Sequence, residues 1–339
     1  MVAFYIFGIV ELQDMYPLIM EAKKNNECWI CYFDCFPTKR QFYYYTDEEL
    51  LSLFEDVDCN VYRSEDKEKY NRDYSKNNPD HIFIKTINPK THNWFPTTKN
   101  SKVIYLNYML ESHHLQHSLT RVDATLVHDK RWLPLYKNYP NPKYYGDYRM
   151  DNLKYISKEK YNKRCFIIES WIRGKHVKSK LMSPEAEFYD ELIKFLHSKG
   201  YEIIWKKREK GYPKENKWAS PLDFCNEKPD KIIEKDLMLP SSLFYYSFNS
   251  DMCLFINDCF AFFDSIKINK NSYMIKSPLF NERKYKFDEG WFDDYKDSII
   301  TLDKFKKILD FNNKNAVTYD YVSSQIIKSL KQENLNVRY

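Results

Sequence analysis

Three histidines, His113, His114 and His117, crowd one short stretch, with Glu111 before them and Asp123 after. Imidazole takes up or releases a proton near neutral pH, so this is the densest supply of general bases in the chain. His113 and His117 would share one face of a helix and could ligate a metal with Asp123 or Glu111, but two histidines without a third spaced ligand are weak support for a metal, and a polar surface loop explains them as simply. Two basic tracts follow apolar runs: Arg173-Gly174-Lys175-His176-Val177-Lys178 and Lys206-Lys207-Arg208. Arg173, Lys206 and Arg208 can converge on an anion, the arginines through a planar fork that bonds two oxygens at once, or they can form a solvated rim. Ser241 and Ser242 follow Pro240 and open a helical run, which they can cap or equip with phosphate donors. Asp258 ends an apolar run, placed to face a cleft or to cap the next helix. Cys28, Cys31 and Cys35 invite a metal reading, yet strand alternation puts Cys31 and Cys35 on one face and Cys28 on the other, which favours core packing.

The elements that must carry these groups alternate between strand-length apolar runs and segments of helical period, the pattern of an α/β fold with parallel sheets. Residues 2–10 read as a strand, 11–25 as a helix with Leu12, Met15, Leu18 and Ile19 on one face, and 27–34 as the next strand. Residues 46–55 read as a helix and 58–62, 80–85, 103–109 and 124–128 as strands. Pro134, Pro140 and Pro142 before Gly146 mark a boundary. Beyond it, strands are expected at 163–172, 201–206, 252–257 and 272–276. Helices are expected from Ser183-Pro184 to Ser198, at 241–249 and 260–268, and in the tail at 303–309 and 319–330. The division is a first domain over 1–150, a second over 151–311, and a helical tail over 312–339.

The chain has 339 residues, with 53 Lys+Arg against 48 Asp+Glu, a net charge of +5, and 17% aromatic residues. That length suits two domains, each able to bury a core, and the aromatic content excludes disorder. So small a basic excess excludes a nucleic-acid partner, leaving any anion site local. The six glycines, Gly8, Gly146, Gly174, Gly200, Gly211 and Gly290, are too far apart for a dinucleotide fingerprint, a P-loop or a kinase loop. No apolar run is long enough to span a membrane, and the apolar start has no basic flank or cleavage site, so it reads as a buried strand and the chain as cytoplasmic. The eight cysteines are expected to be reduced core thiols.

Four segments, taken in order, resemble the GT-B glycosyltransferases, and within them the CDP-glycerol glycerophosphotransferase and surface-polysaccharide group. The first is the strand, Gly8 and helix at 3–24, where such enzymes place an acceptor-side turn. The second is Gly146-Asp147-Tyr148-Arg149-Met150-Asp151-Asn152-Leu153, similar to the family's G-x-P-R-x-D-x-L at the interdomain connection, with Tyr148 where proline is usual; it is the most specific match. The third is Cys165-Phe166-Ile167-Ile168-Glu169-Ser170-Trp171-Ile172-Arg173, similar to the strand that ends A-P-[TS]-[WF]-R. The fourth pairs Ile203-Ile204-Trp205-Lys206-Lys207-Arg208, similar to a strand and K-x-H-P turn, with residues 250–258, similar to S-D-x-x-I-x-D. Arg208 replaces the family's histidine, and Cys259-Phe260-Ala261 replaces its Y-S-S.

The resemblance implies an α/β fold of two facing Rossmann-like domains with C-terminal helices. It implies transfer of a sugar or glycerol phosphate from a nucleotide-activated donor to a hydroxyl acceptor, a glycan or lipid-linked carrier. No metal and no tightly bound cofactor are expected. Arg173, Lys206, Arg208, Ser241, Ser242 and Asp258 would then face the donor, Gly8 the acceptor, and His114, with His113 and His117 beside it, would be the base. Contact with the inner membrane face through basic and aromatic residues is a further expectation, by analogy alone. The competing readings are a non-catalytic nucleotide- or carbohydrate-binding relative, a nucleotide-sugar epimerase, and a metal-dependent hydrolase.

Overall fold

The computed structural model describes residues 1–6, 9–24, 28–32, 47–63, 67–76, 78–85, 101–106, 122–169, 182–207, 220–257, 259, 261–278, 293–309 and 321–332. The first half is a parallel sheet of seven strands: β1 (Val2–Ile6), β2 (Cys28–Tyr32), β3 (Asn60–Arg63), β4 (His81–Ile84), β5 (Lys102–Leu106), β6 (Ala124–Leu126) and β7 (Pro142–Lys143), in the order β3-β2-β1-β4-β5-β6-β7. Helices α1 (Ile9–Lys23), α2 (Asp47–Val57) and α3 (Lys67–Lys76) lie between its early strands. The second half repeats the plan with six strands: β8 (Arg164–Ile168), β9 (Glu202–Lys206), β10 (Lys231–Ile233), β11 (Met252–Ile256), β12 (Ser272–Lys276) and β13 (Ile299–Thr301), ordered β10-β9-β8-β11-β12-β13. Its helices are α4 (Met182–Ser198), α5 (Ser242–Phe248), α6 (Ala261–Ile268) and α7 (Leu302–Leu309), and α8 (Ser323–Gln332) follows. Both are doubly wound sheets, each with its chain-order reversal between the first and fourth strand (β1 and β4, β8 and β11), where a crevice opens at the carboxyl ends.

The central strands show why these sheets form. Val-Ala-Phe-Tyr-Ile in β1 and Met-Cys-Leu-Phe-Ile in β11 are buried at every position, as parallel strands covered on both faces require. Alternation divides β1: Val2, Phe4 and Ile6 join one core with Leu12 and Leu18 of α1, while Ala3 and Tyr5 join another with Trp29 and Ile82. The second sheet likewise has Leu254 and Ile256 on one face and Cys253 and Phe255 on the other.

Most expected elements are present, and the expected positions 7–8, 25, 27, 33–34, 46, 107–109, 170–172, 260 and 319–320 lie outside the described residues. Helix α1 starts at Ile9, inside the run read as strand, and α4 starts at Met182, one residue before the serine expected to cap it. Helix α3, Lys-Glu-Lys-Tyr-Asn-Arg-Asp-Tyr-Ser-Lys, was not expected, since it is charged nearly all round and Tyr74 is its buried anchor. Strands β7, β10 and β13 run only two or three residues, too few for a period to register. No described helix is long and apolar enough to cross a membrane. None of the described cysteines is in a disulfide, and all but Cys59 are buried.

Helix α8 packs beside α1, and Val322, Ile326 and Ile327 complete the first half's core. The chain therefore returns from the second half to close the first.

Candidate functional site

The connection between the halves is a clasp built from the segment beginning at Gly146. Gly146 has φ +113, and a Cβ there would lie 2.7 Å from Val322 Cγ1, so a side chain is excluded twice over. Asp147 caps the 3-10 helix Tyr148–Tyr155. Arg149 then makes two bidentate forks: to Asp147 (both bonds 3.0 Å) and to Asp264 of α6 (3.0 and 2.7 Å). Lys267 of α6 donates to the same Asp147 at 2.8 Å. All four groups are largely buried. Burial alone would raise the Asp147 carboxyl, but Arg149 and Lys267 overcome it and hold it far below the usual range. Burial opposes the charge of Lys267, which Asp147 more than restores.

The rest of the segment grips the first half and the returning helix. Asp151, fully buried, accepts from the backbone N–H of Val322 (3.0 and 3.1 Å) and Ser323 (2.6 Å), supplying the cap of α8 from a distant part of the chain. Pro17 lies inside α1 and lacks the N–H that would bond the Gln13 carbonyl, and Asn152 Nδ2 donates to that carbonyl at 3.4 Å instead. Tyr148, which stands where the family has proline, is buried in the first core with its phenol pushed well up by burial. The most specific motif in the sequence thus joins α1, α6 and α8.

At the first sheet's reversal point, Lys85 follows β4 and its ammonium contacts Asp14 of α1. Glu11 and Asp14 occupy the first turns of α1, directly after β1, and both are buried. Burial pushes Lys85 well below the usual lysine range, and the positive charge of Arg149 adds to this, while Glu11, Asp264 and Asp147 oppose it. His128 follows β6, stacks edge-on against Trp132, and is held far below the usual histidine range by burial and by Arg149. The carboxyl edge of the first sheet thus presents a buried Asp14–Lys85 pair and a neutral imidazole.

The carboxyl edge of the second sheet is carboxylate-rich. Glu169, after β8, accepts from Ser220 Oγ at 2.6 Å and Trp205 Nε1 at 3.3 Å. Glu185, in the first turn of α4, accepts from Ser277 Oγ and from Asn257 Nδ2 at 3.3 Å. Asp236 accepts from Lys206, from Ser242 Oγ at 2.6 Å and from Ser242 N at 2.9 Å. The two halves touch here as well: Gln13 donates to the carbonyls of Asp236 (2.9 Å) and Met238 (3.1 Å), and Lys235 pairs with Glu49 at 2.8 Å.

Of the residues singled out in the sequence, Lys206 and Ser242 come together, and the group that unites them is Asp236. Ser241 is buried at the cap position of α5 with no side-chain cap bond. Gly8, His113, His114, His117, Arg173, Arg208 and Asp258 lie outside the described residues. No cluster of three or more potential metal ligands exists among the described residues. Sequence reading did not pick out Asp14, Lys85, His128, Glu169 or Glu185. The two acids near helix starts read as ordinary dipole-favoured residues, Lys85 and His128 close strand-length runs with no local pattern to distinguish them, and Glu169 lies within the third motif, which gives it no role.

No protein-family model matches the chain, and no curated protein sequence matches it. Solved structures do. A UDP-GlcNAc 2-epimerase from Methanocaldococcus jannaschii superposes with a TM-score of 0.61 at 12% identity, over 98% of this chain and 99% of that one. The S. aureus MnaA-UDP co-structure matches with a TM-score of 0.58 at 11% identity, over 99% and 97% of the two chains. The wall teichoic acid polymerase TagF matches with a TM-score of 0.53 at 12% identity, over 98% of this chain and 82% of that one. Together with the strand orders, these likenesses establish the architecture: two Rossmann-like halves in the GT-B arrangement, as the sequence resemblance implied.

Proposed function

We propose that the chain is a nucleotide-sugar enzyme of the transferase type, moving a sugar or glycerol phosphate from a nucleotide-activated donor to a hydroxyl acceptor in surface-polymer synthesis. The observation that carries this reading is the pairing of two sheet reversal points across one connection, with the Asp14–Lys85 pair on the first and the Glu169 and Glu185 networks on the second. Ligands of open α/β sheets bind at such points. The second half takes the donor in this reading and the first half the acceptor.

The leaving nucleotide, a diphosphate in sugar transfer and a monophosphate in glycerol phosphate transfer, needs fixed cations or N–H donors on its phosphates. Asp236 engages both Lys206 and Ser242, so the burden of phosphate binding falls on Arg173 and Arg208. The acceptor hydroxyl loses its proton to a base from His113, His114 or His117, and the deprotonated oxygen displaces the nucleotide. No metal enters the scheme. The acceptor is a glycan or a lipid-linked carrier, reached by peripheral contact with a membrane.

A second reading, an epimerase acting on a UDP-sugar without an acceptor, is favoured by length: the chain aligns over 99% of the UDP-GlcNAc 2-epimerase and 97% of MnaA, and over 82% of TagF. The first test is a thermal-shift titration with CDP, UDP, GDP, ADP and TDP, with and without magnesium, since a ligand of the native state raises Tm by mass action. A selective, metal-independent shift supports a nucleotide-sugar enzyme; product analysis with and without acceptor then separates transfer from epimerisation. No shift with any nucleotide overturns the proposal in favour of a non-catalytic relative.

A further inference from the structure

At the amino end of the first sheet, away from the crevice, two cysteines stand side by side. The register pairs Trp29 of β2 with Asn60 of β3, so Cys28 and Cys59 are neighbours one step earlier. Adjacent strands run about 4.8 Å apart, inside the roughly 4.4–6.8 Å Cα range a disulfide accepts. Both side chains lie against the same core, so they share a face of the sheet. The two thiols lie within interaction range of each other. Cys59 Sγ in turn reaches the Val57 carbonyl at 3.7 Å.

The surroundings make the two thiols unequal. Cys28 is buried, and its interaction with Cys59, with burial, pushes its thiol well up. Cys59 is half-buried, and its interaction with Cys28 lowers its thiol against the opposing effect of burial. Lys23 assists and Asp58 opposes; the Lys23 ammonium donates to the Val57 carbonyl and lies 3.5 Å from Asp58. Cys59 is therefore the reactive partner and Cys28 the reserve. Other described cysteines are placed differently. Cys165 and Cys253 lie on adjacent strands, but Cys165 pairs with Met252 and Cys253 with Phe166, so they face opposite sides of the sheet. Cys31 is on the reverse face of the first sheet, and Cys225 donates to the carbonyls of Ala186 and Pro221.

We propose that Cys59 and Cys28 form a peroxide-sensitive dithiol whose disulfide staples the edge strand β3 to β2. The Cys59 thiolate attacks one oxygen of hydrogen peroxide and the O–O bond breaks, leaving a sulfenic acid and a hydroxide that takes up the Cys59 proton as water. Cys28 sulfur then attacks Cys59 sulfur and the S–O bond breaks; the departing oxygen takes the Cys28 proton and leaves as a second water. Two thiols and one peroxide become one disulfide and two waters.

The test treats the full chain with hydrogen peroxide, alkylates the remaining thiols under denaturing conditions, and maps peptides by mass spectrometry. The expected product is about 2 Da lighter than the reduced chain before alkylation, carries one Cys28–Cys59 cross-link, and reverts fully with dithiothreitol. Its Tm should exceed that of the reduced chain by about 5 °C. Cys59→Ser should abolish the cross-link and Cys225→Ser should retain it. If Cys28 and Cys59 are both recovered alkylated, if Cys59 is recovered as sulfinic acid with Cys28 free, or if another pair cross-links in their place, the proposal is overturned. The wild-type map decides this even if a variant fails to fold.

Discussion

Replacing Gly146 with alanine probes the clasp at its tightest point. The backbone there sits at φ +113. An L residue held in such a region costs about 1–3 kcal/mol. The new Cβ would approach Val322 Cγ1 to 2.7 Å, well inside ordinary contact. Overpacking a buried site costs a further ~1–3 kcal/mol. Together these amount to about 4 kcal/mol, a large share of the stability of a typical domain. Moving Val322 also threatens its N–H bonds to Asp151, so the damage should reach α8. Urea unfolding followed by circular dichroism measures the loss. The double variant Gly146→Ala with Val322→Ala removes the clash and keeps the backbone strain, so the cycle should show about 1–2 kcal/mol of favourable coupling. A loss under about 1 kcal/mol at unchanged m-value would refute both the strain and the contact. A full loss with no coupling would refute the contact alone.

Arg149→Met should cost about 3–5 kcal/mol, because Asp147 and Asp264 would remain buried with Lys267 as the cation still in contact, and chemical denaturation reads this directly. Asp147 titrates below its unfolded value, so its contribution is complete above about pH 5 and fades as pH falls through roughly 4 and below. The stability gap between wild type and Asp147→Asn should therefore narrow only on the acid side. His128 is held neutral, with its folded pKa depressed below the unfolded value near 6.5. Stability should then fall with pH below about 6.5 at up to ~1.4 kcal/mol per unit, and His128→Gln should flatten that slope. Arg173→Ala and Arg208→Ala should each weaken nucleotide binding about tenfold or more, measured by calorimetry, with Tm unchanged. Lys206→Ala should instead lower Tm, because it leaves Asp236 buried without its cation.

Periodicity carried most of the fold. Runs such as residues 2–6 and 252–256 are apolar at every position and lie in sheet centres, and α1 shows its core face through Leu12, Met15 and Leu18. The polar side of α1 gave no such signal. Glu11, Gln13 and Asp14 look like a solvated face, yet all three are buried, Gln13 through bonds to the carbonyls of Asp236 and Met238 far along the chain and Asp14 through its contact with Lys85. The same limit applied to the motif at Gly146. Its residues were conspicuous in sequence, yet their partners Asp264, Val322 and Ser323 lie more than a hundred residues away, so its role as a clasp could be read only from structure. Lys206 illustrates the reverse case: a lysine after a strand is a fair phosphate candidate until a local carboxylate, here Asp236, is found on it.

The return of α8 to the first half also has a consequence for biosynthesis. Val322, Ile326 and Ile327 belong to the first core, and the carboxylate that caps α8 precedes it by 171 residues. A ribosome adding about 5–20 residues per second needs roughly 10–30 s to cover that interval. During that time the amino-terminal half is exposed with an apolar groove along α1 and the buried-type acid Asp151 uncovered. The nascent chain thus waits in a partly finished state while its second half is made. Chaperone dependence and aggregation during expression should track the integrity of α8, and a chain truncated before Tyr321 should accumulate in the insoluble fraction even though it retains both complete sheets.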